Sequence, residues 1–277
     1  MSRDQLSAVS SSAPRFAERG SGPPLVFVTS MQGRWEYARP TIDALAQHFH
    51  VVAFSLADEP SARFPFDRSR PIDSYSSQID AALDRTGAPR AIVCGVSFGG
   101  LLALHYAAAR PERVSALVVA SAPGPGWHLS PKHEAYARLP WLFGPLFLVE
   151  SPSRLRHEIR ASLPDARSRW AFRLAIARTL VSAPISMSRM AARARLIASF
   201  EIERDCARVT APTLVVTGEP DLDSVVRVAT TTEIARRIQG SRSVVLERTG
   251  HAGSITRSDA FAEIVHRFAA GERHAAA

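Results

Sequence analysis

Three observations in the amino-acid sequence predict an α/β fold, a mostly parallel sheet flanked by helices and carrying an inserted helical cap. Short apolar runs alternate with stretches of helical periodicity from residue 24 onward. Such alternation sets strands side by side in parallel through right-handed crossovers. The run AIVCGVSFGG (91–100) joins an apolar strand to a G-x-S-x-G turn, and LLALHYAAAR continues it as a helix. Between about 121 and 213 the rhythm breaks, with a long helical pattern and no convincing strand.

The elements follow in order. Residues 1–13 are polar and carry no apolar core, which reads as a loose tail rather than a secretory leader. PLVFV (24–28) is a strand closed by Thr29 and Ser30. PTIDALAQHF (40–49) has apolar residues at helical spacing, and VVAFSL (51–56) is the next strand. SYSSQIDAALDRTG (74–87) is a helix with Gly87 near its end. After the strand at 91–94 and the helix at 98–109, ALVVAS (116–121) is a further buried strand. The Pro/Gly-rich hinge APGPG (122–126) opens the inserted segment. TLVVTG (213–218) and SVVLE (243–247) are strands separated by the helix at 230–240, and DAFAEIVHRFAAG (259–271) closes the chain as a helix. The expected division is a core of 1–123 and 207–277 with a cap of 124–206.

Bulk composition narrows the function classes. With 277 residues, 46% of them hydrophobic, the chain can bury a sizeable core. No run of about twenty apolar residues appears, so no membrane span is expected. Of 34 basic residues only Lys132 is lysine, and the formal charge is +8. Thirteen basic residues against seven acidic ones fall in 124–206. They recur at helical intervals without stacking aromatics, which reads as a solvated helix surface with some pull on anionic substrates rather than a nucleic-acid platform. Cys94 lies inside a strand far from Cys206 in sequence, so reduced, packed thiols and a cytoplasmic protein are expected.

The serine turn carries the chemistry. Ser97 on a tight strand-to-helix turn presents its hydroxyl at the carboxyl edge of the sheet, and its neighbours must be small because strand and helix crowd there. A serine nucleophile needs a base, and the base needs a carboxylate to fix its tautomer. His251 follows the strand 243–247 through a turn containing Gly250, which places it at the same edge. His105, His48, His50, His128, His133 and His157 are poorer candidates by position. No acid or cysteine pattern accompanies His128 and His133, so no metal is expected. The acid should follow the strand 213–218, where GEPDLDSVV offers Asp223, the preferred candidate, and Asp221, the alternative. Phe98, at a helix start, offers a free N–H to an oxyanion, and Met31, after strand 24–28, is the expected second donor. Most cap aromatics pack against the core. Those facing the sheet would line an apolar pocket, with Trp127, Trp141, Phe143 and Met190 as candidates.

Taken together, PPLVFVTSMQGRWEY, CGVSFGG, ARPERVSALVVAS, PTLVVTGEPD and the RTGH turn resemble the α/β-hydrolase fold family in its capped, serine-nucleophile branch. The resemblance covers residues 15–270 and the order serine, acid, histidine. It implies an eight-stranded, mostly parallel sheet with a lid, although the N-terminal strands look abbreviated. Two departures stand out. Relatives usually carry His-Gly where this chain has Thr29 and Ser30, so the oxyanion loop is built differently, with Ser30 or Gln32 as possible contributors. After strand 51–56 relatives often show a basic, glycine-bearing turn, whereas this chain reads ADEPSARFPFD, with Asp58 and Glu59 either near the pocket or solvated. The expected function is a carboxylesterase-like hydrolase, cleaving an ester, thioester or lactone of a mostly apolar small molecule through an acyl-enzyme, without cofactor. C–C bond hydrolysis, acyl transfer and perhydrolysis use the same site and stay open, as does a non-catalytic ligand-binding relative. The expected partner is a small-molecule substrate, and a homo-oligomer is left open.

Overall fold

A computed structural model describes residues 14–271, and the expected tail at 1–13 lies outside them. The chain begins with β1 (Ala17–Arg19), β2 (Pro24–Val28), α1 (Arg39–Leu45), β3 (His50–Phe54), α2 (Pro71–Arg85), β4 (Ala91–Val96), α3 (Phe98–Ala109) and β5 (Val114–Ala120). Five helices follow: α4 (Pro131–Arg138), α5 (Pro140–Arg154), α6 (Arg156–Ser162), α7 (Ala166–Ser182) and α8 (Met187–Leu196). The chain then returns through α9 (Ile202–Arg208), β6 (Thr213–Thr217), α10 (Val228–Arg237), β7 (Arg242–Val245), α11 (Gly253–Thr256) and α12 (Ser258–Ala269).

Among the described residues seven strands form one sheet in the order β1-β3-β2-β4-β5-β6-β7. β1 runs antiparallel to β3, and the other pairs are parallel. The count is one below the eight implied by the resemblance, and the N-terminal edge is indeed abbreviated, since β1 has three residues. Side chains alternate across the sheet with period two. Val26, Val28, Val52, Val93 and Val119 face α2 and α3, meeting Ile79, Leu83 and Leu101. Leu25, Phe27, Val51, Cys94 and Val118 face α1 and α12, meeting Ile42, Phe261 and Val265. Both faces are covered, which is why these strands read as continuous apolar runs. All six residues of β4 are buried. Cys94 and Cys206 are both buried free thiols, and burial pushes both thiols up.

Parallel pairing brings the carboxyl ends of β2 to β7 to one edge, where ligands bind in open α/β sheets. The helices between β5 and β6 are tied to loops of that edge. The Tyr37 hydroxyl donates to the Ala183 carbonyl at 2.8 Å, and Ser162 Oγ donates to the Arg248 carbonyl at 2.8 Å. Ser224 Oγ donates to the Arg154 carbonyl at 3.0 Å. Among the described residues no helix is long and apolar enough to cross a membrane, and no group of three or more His, Cys, Asp or Glu could hold a metal ion.

Candidate active site

Ser97 sits between β4 and α3 with φ 55° and ψ −122°, a conformation that L-residues rarely adopt. Its N–H donates to the Ala120 carbonyl at 2.8 Å, locking the turn to β5. A side chain at Gly95 would overlap the Gly99 carbonyl, and one at Gly99 would overlap the carbonyls of Val28 and Thr29. The small residues of the motif therefore let β4, α3 and the end of β2 close on one point. That crowding holds the strained serine in place, with 5% of its surface exposed.

His251 Nε2 lies 3.1 Å from Ser97 Oγ. The loop that carries it is fixed by Leu246 N–H to the Thr217 carbonyl at 2.7 Å and Glu219 N–H to the Thr249 carbonyl at 2.7 Å. A side chain at Gly250 would overlap the Leu222 carbonyl, so the loops after β6 and β7 pack backbone to backbone. That packing brings Asp223 Oδ2 to 3.5 Å from His251 Nδ1. The Asp223 side chain is 2% exposed, and its Oδ1 accepts the N–H groups of Val225 and Val226, each at 2.9 Å. Asp221, the other acid of that loop, is exposed. Among the competing histidines, His105 Nδ1 is 2.9 Å from Asp205 on α9.

Phe98 is buried and begins α3, where the first N–H groups lack intrahelical partners. Met31 is half-buried, in a turn closed by Gly33 N–H to the Ser30 carbonyl at 2.9 Å. Ser30 and Gln32 hydrogen-bond each other within it. The four apolar candidates separate. Trp127 is half-buried against the cluster that includes Phe98, and Phe143 stacks on Tyr136 with centroids 5.2 Å apart. Met190 on α8 is half-buried, whereas Trp141 on α5 is 74% exposed.

Two charged residues of the inserted helices reach this edge without having been singled out in the sequence. Glu158 on α6 is fully buried, and its Oε1 accepts the N–H of Ala252, next to His251, at 2.6 Å. Burial pushes its carboxyl up to about 7, against the pull of the Gly250 N–H and His251. Arg193 on α8 is also buried, and its Nη1 donates to the Met31 carbonyl at 2.9 Å. Asp58 and Glu59, singled out after strand 51–56, are its ion-pair partners. A signal for this was present: two adjacent acids stand where relatives carry a basic turn, and a buried acid pair calls for a cation elsewhere.

Residues 22–264 match the model of the Alpha/beta hydrolase family. The chain belongs to that family. It is a hydrolase fold whose relatives are named esterases and hydrolases. A pimeloyl-(acyl-carrier protein) methyl ester esterase of Neisseria meningitidis serogroup B is 28% identical over 279 residues, spanning 93% of this chain and 98% of that protein. The same-named enzyme of Xanthomonas campestris pv. campestris is 25% identical over 256 residues, spanning 91% and 96%. Among solved structures, the enol-lactonase from Burkholderia xenovorans LB400 superposes with a TM-score of 0.71 at 21% identity, covering 92% of this chain and 96% of that one. That last likeness is one of fold.

Proposed function

We propose that this hydrolase cleaves an ester, thioester or lactone of a mostly apolar small molecule through a Ser97 acyl-enzyme. The observation that carries the reading is the 3.1 Å approach of His251 Nε2 to the hydroxyl of a serine held at φ 55° on a helix N-terminus. His251 takes the Ser97 proton as Oγ attacks the carbonyl carbon. Asp223, buried behind Nδ1, holds the tautomer and stabilises the imidazolium, and its burial favours it over the exposed Asp221. The N–H groups of Phe98 and Met31 receive the oxyanion. His251 then protonates the leaving alcohol or thiol, and water repeats the sequence to release the acid. Residues 124–206 act as a cap, with Trp127 the best placed of the apolar candidates for the substrate's acyl part. The ester-cleaving relatives support the reaction class.

The test is labelling by a fluorophosphonate, followed by p-nitrophenyl esters of rising acyl length. Wild type should label and turn over, and Ser97→Ala should do neither. A folded wild-type protein that resists labelling would turn the reading toward a ligand-binding relative without turnover.

A further inference from the structure

Among the described residues Arg193 is the largest fully buried side chain, 1% exposed, and it comes from the segment proposed as the cap. Its guanidinium faces two carboxylates from the loop after β3. Nη2 is 2.7 Å from Asp58 Oδ1 and also bonds Glu59 Oε1, while Nε donates to Asp58 at 3.2 Å. Arg189, one turn earlier on α8, lies 3.7 Å from the other Glu59 oxygen. The two acids therefore clamp the guanidinium, Tyr75 on α2 also hydrogen-bonds with Arg193 and Asp58, and Nη1 donates to the Met31 carbonyl at 2.9 Å. A guanidinium offers donors in a fixed planar fork, so holding two edges fixes the third.

The consequence lies in the Met31 backbone. The peptide that carries the Met31 N–H has the Ser30 carbonyl at its other end, and that carbonyl accepts Gly33 N–H at 2.9 Å. The next peptide carries the Met31 carbonyl, and Arg193 holds it. Peptide planes are rigid, so tying both planes around the Met31 Cα sets its φ and ψ, and with them the direction of the N–H carried by the first plane. Gly33 has φ 75°, and a side chain there would overlap the Arg193 guanidinium, so the loop is shaped around this arginine. The usual His-Gly pair is absent from this loop, replaced by Thr29 and Ser30.

We propose that Arg193 is a positioning residue that aims the Met31 N–H at the oxyanion, so that seating the cap completes the oxyanion hole. This rests on the serine-hydrolase reading above. Asp58 and Glu59 serve as the anchors that orient Arg193. Its own charge is opposed by burial, but the two carboxylates outweigh that and raise its pKa.

The experiment compares wild type, Arg193→Lys, and a charge-neutral triple variant (Arg193→Met, Asp58→Asn, Glu59→Gln) that leaves no unpaired buried carboxylate. Each is tested for fluorophosphonate labelling rate and for kcat and KM on p-nitrophenyl butyrate, with folding checked by circular dichroism and melting. Misplacing one oxyanion donor should lower kcat and labelling rate about 10- to 100-fold while KM stays within about twofold. A residue that merely docks the cap would move KM or the melting temperature without that split. A folded variant of either kind with wild-type kcat overturns the inference and leaves the serine-hydrolase reading standing. A folded wild type that neither labels nor turns over overturns both. Should Arg193→Lys fail to fold, the triple variant supplies the readout.

Discussion

The two acids of the loop after β6 differ in what surrounds them more than in sequence. Asp223 is held by two N–H groups on one oxygen and points the other at His251 Nδ1 from 3.5 Å. Asp221 is exposed. Asp223→Asn should therefore lower kcat on a p-nitrophenyl ester by about 10²- to 10⁴-fold, by favouring the wrong tautomer. Asp221→Asn should stay within about twofold; the reverse ranking would reassign the acid. Glu158 makes a different kind of prediction. Its carboxyl ordinarily titrates near 4.5 and is pushed up to about 7 by burial and the nearby Asp223, against Gly250, Ala252 and His251. Below 4.5 it is protonated in both folded and unfolded chains. As pH rises toward 7 the unfolded chain ionises first, so wild type loses stability across that window. Glu158→Gln has no such loss, and its stability relative to wild type should rise by up to about 3 kcal/mol between pH 4.5 and 7.5. A difference flat with pH, in paired melting curves, would refute this. That Ser97 and His251 would meet at one edge was legible in the sequence because each follows an apolar strand through a glycine turn. Glu158 and Arg193 could not, because a charged residue within a charge-rich helix has the same local pattern whether it faces solvent or a buried loop.

The strand–turn–helix of β4 and α3 shows why some elements were readable to the residue. The run at 24–28 and the helix at 98–109 coincide with β2 and α3, because burial on all sides leaves little room for polar residues. β4 extends past the expected 91–94 to Val96, reaching the serine itself. β1 leaves no sequence signature because AER offers neither length nor apolar alternation; it exists as an antiparallel partner of β3. The same crowding yields a test. Gly99→Ala places a methyl against the carbonyls of Val28 and Thr29, which are backbone atoms unable to yield cheaply. It should cost about 3 kcal/mol or more in denaturant unfolding. Gly87→Ala is the comparison: nothing lies near its Cβ direction, so only the strain of φ 71° is felt. A Gly99→Ala protein as stable as Gly87→Ala would mean that β2 and α3 are not wedged together at the serine.

Most of the net charge of +8 belongs to the helices between β5 and β6, with thirteen basic against seven acidic residues in 124–206. One of those basic residues, Arg193, is consumed internally by Asp58 and Glu59. Others, including Arg167, Arg173 and Arg178, are exposed. An excess of exposed positive charge on helices tied to the loops of the carboxyl edge creates a field that favours approach of anions, and exposed charges are screened within about 10 Å at 0.1 M salt. Two p-nitrophenyl esters of equal acyl length, one neutral and one ending in a carboxylate, therefore separate field from fit. Their shared acyl chain makes the same apolar contacts, so only the response to salt distinguishes them. Raising ionic strength from about 0.02 to 0.5 M should lower kcat/KM severalfold for the carboxylate ester and leave the neutral ester nearly unchanged. Parallel salt profiles for the two esters would mean that this charge is spent on solvation and salt bridges, with no part in drawing substrate to the carboxyl edge.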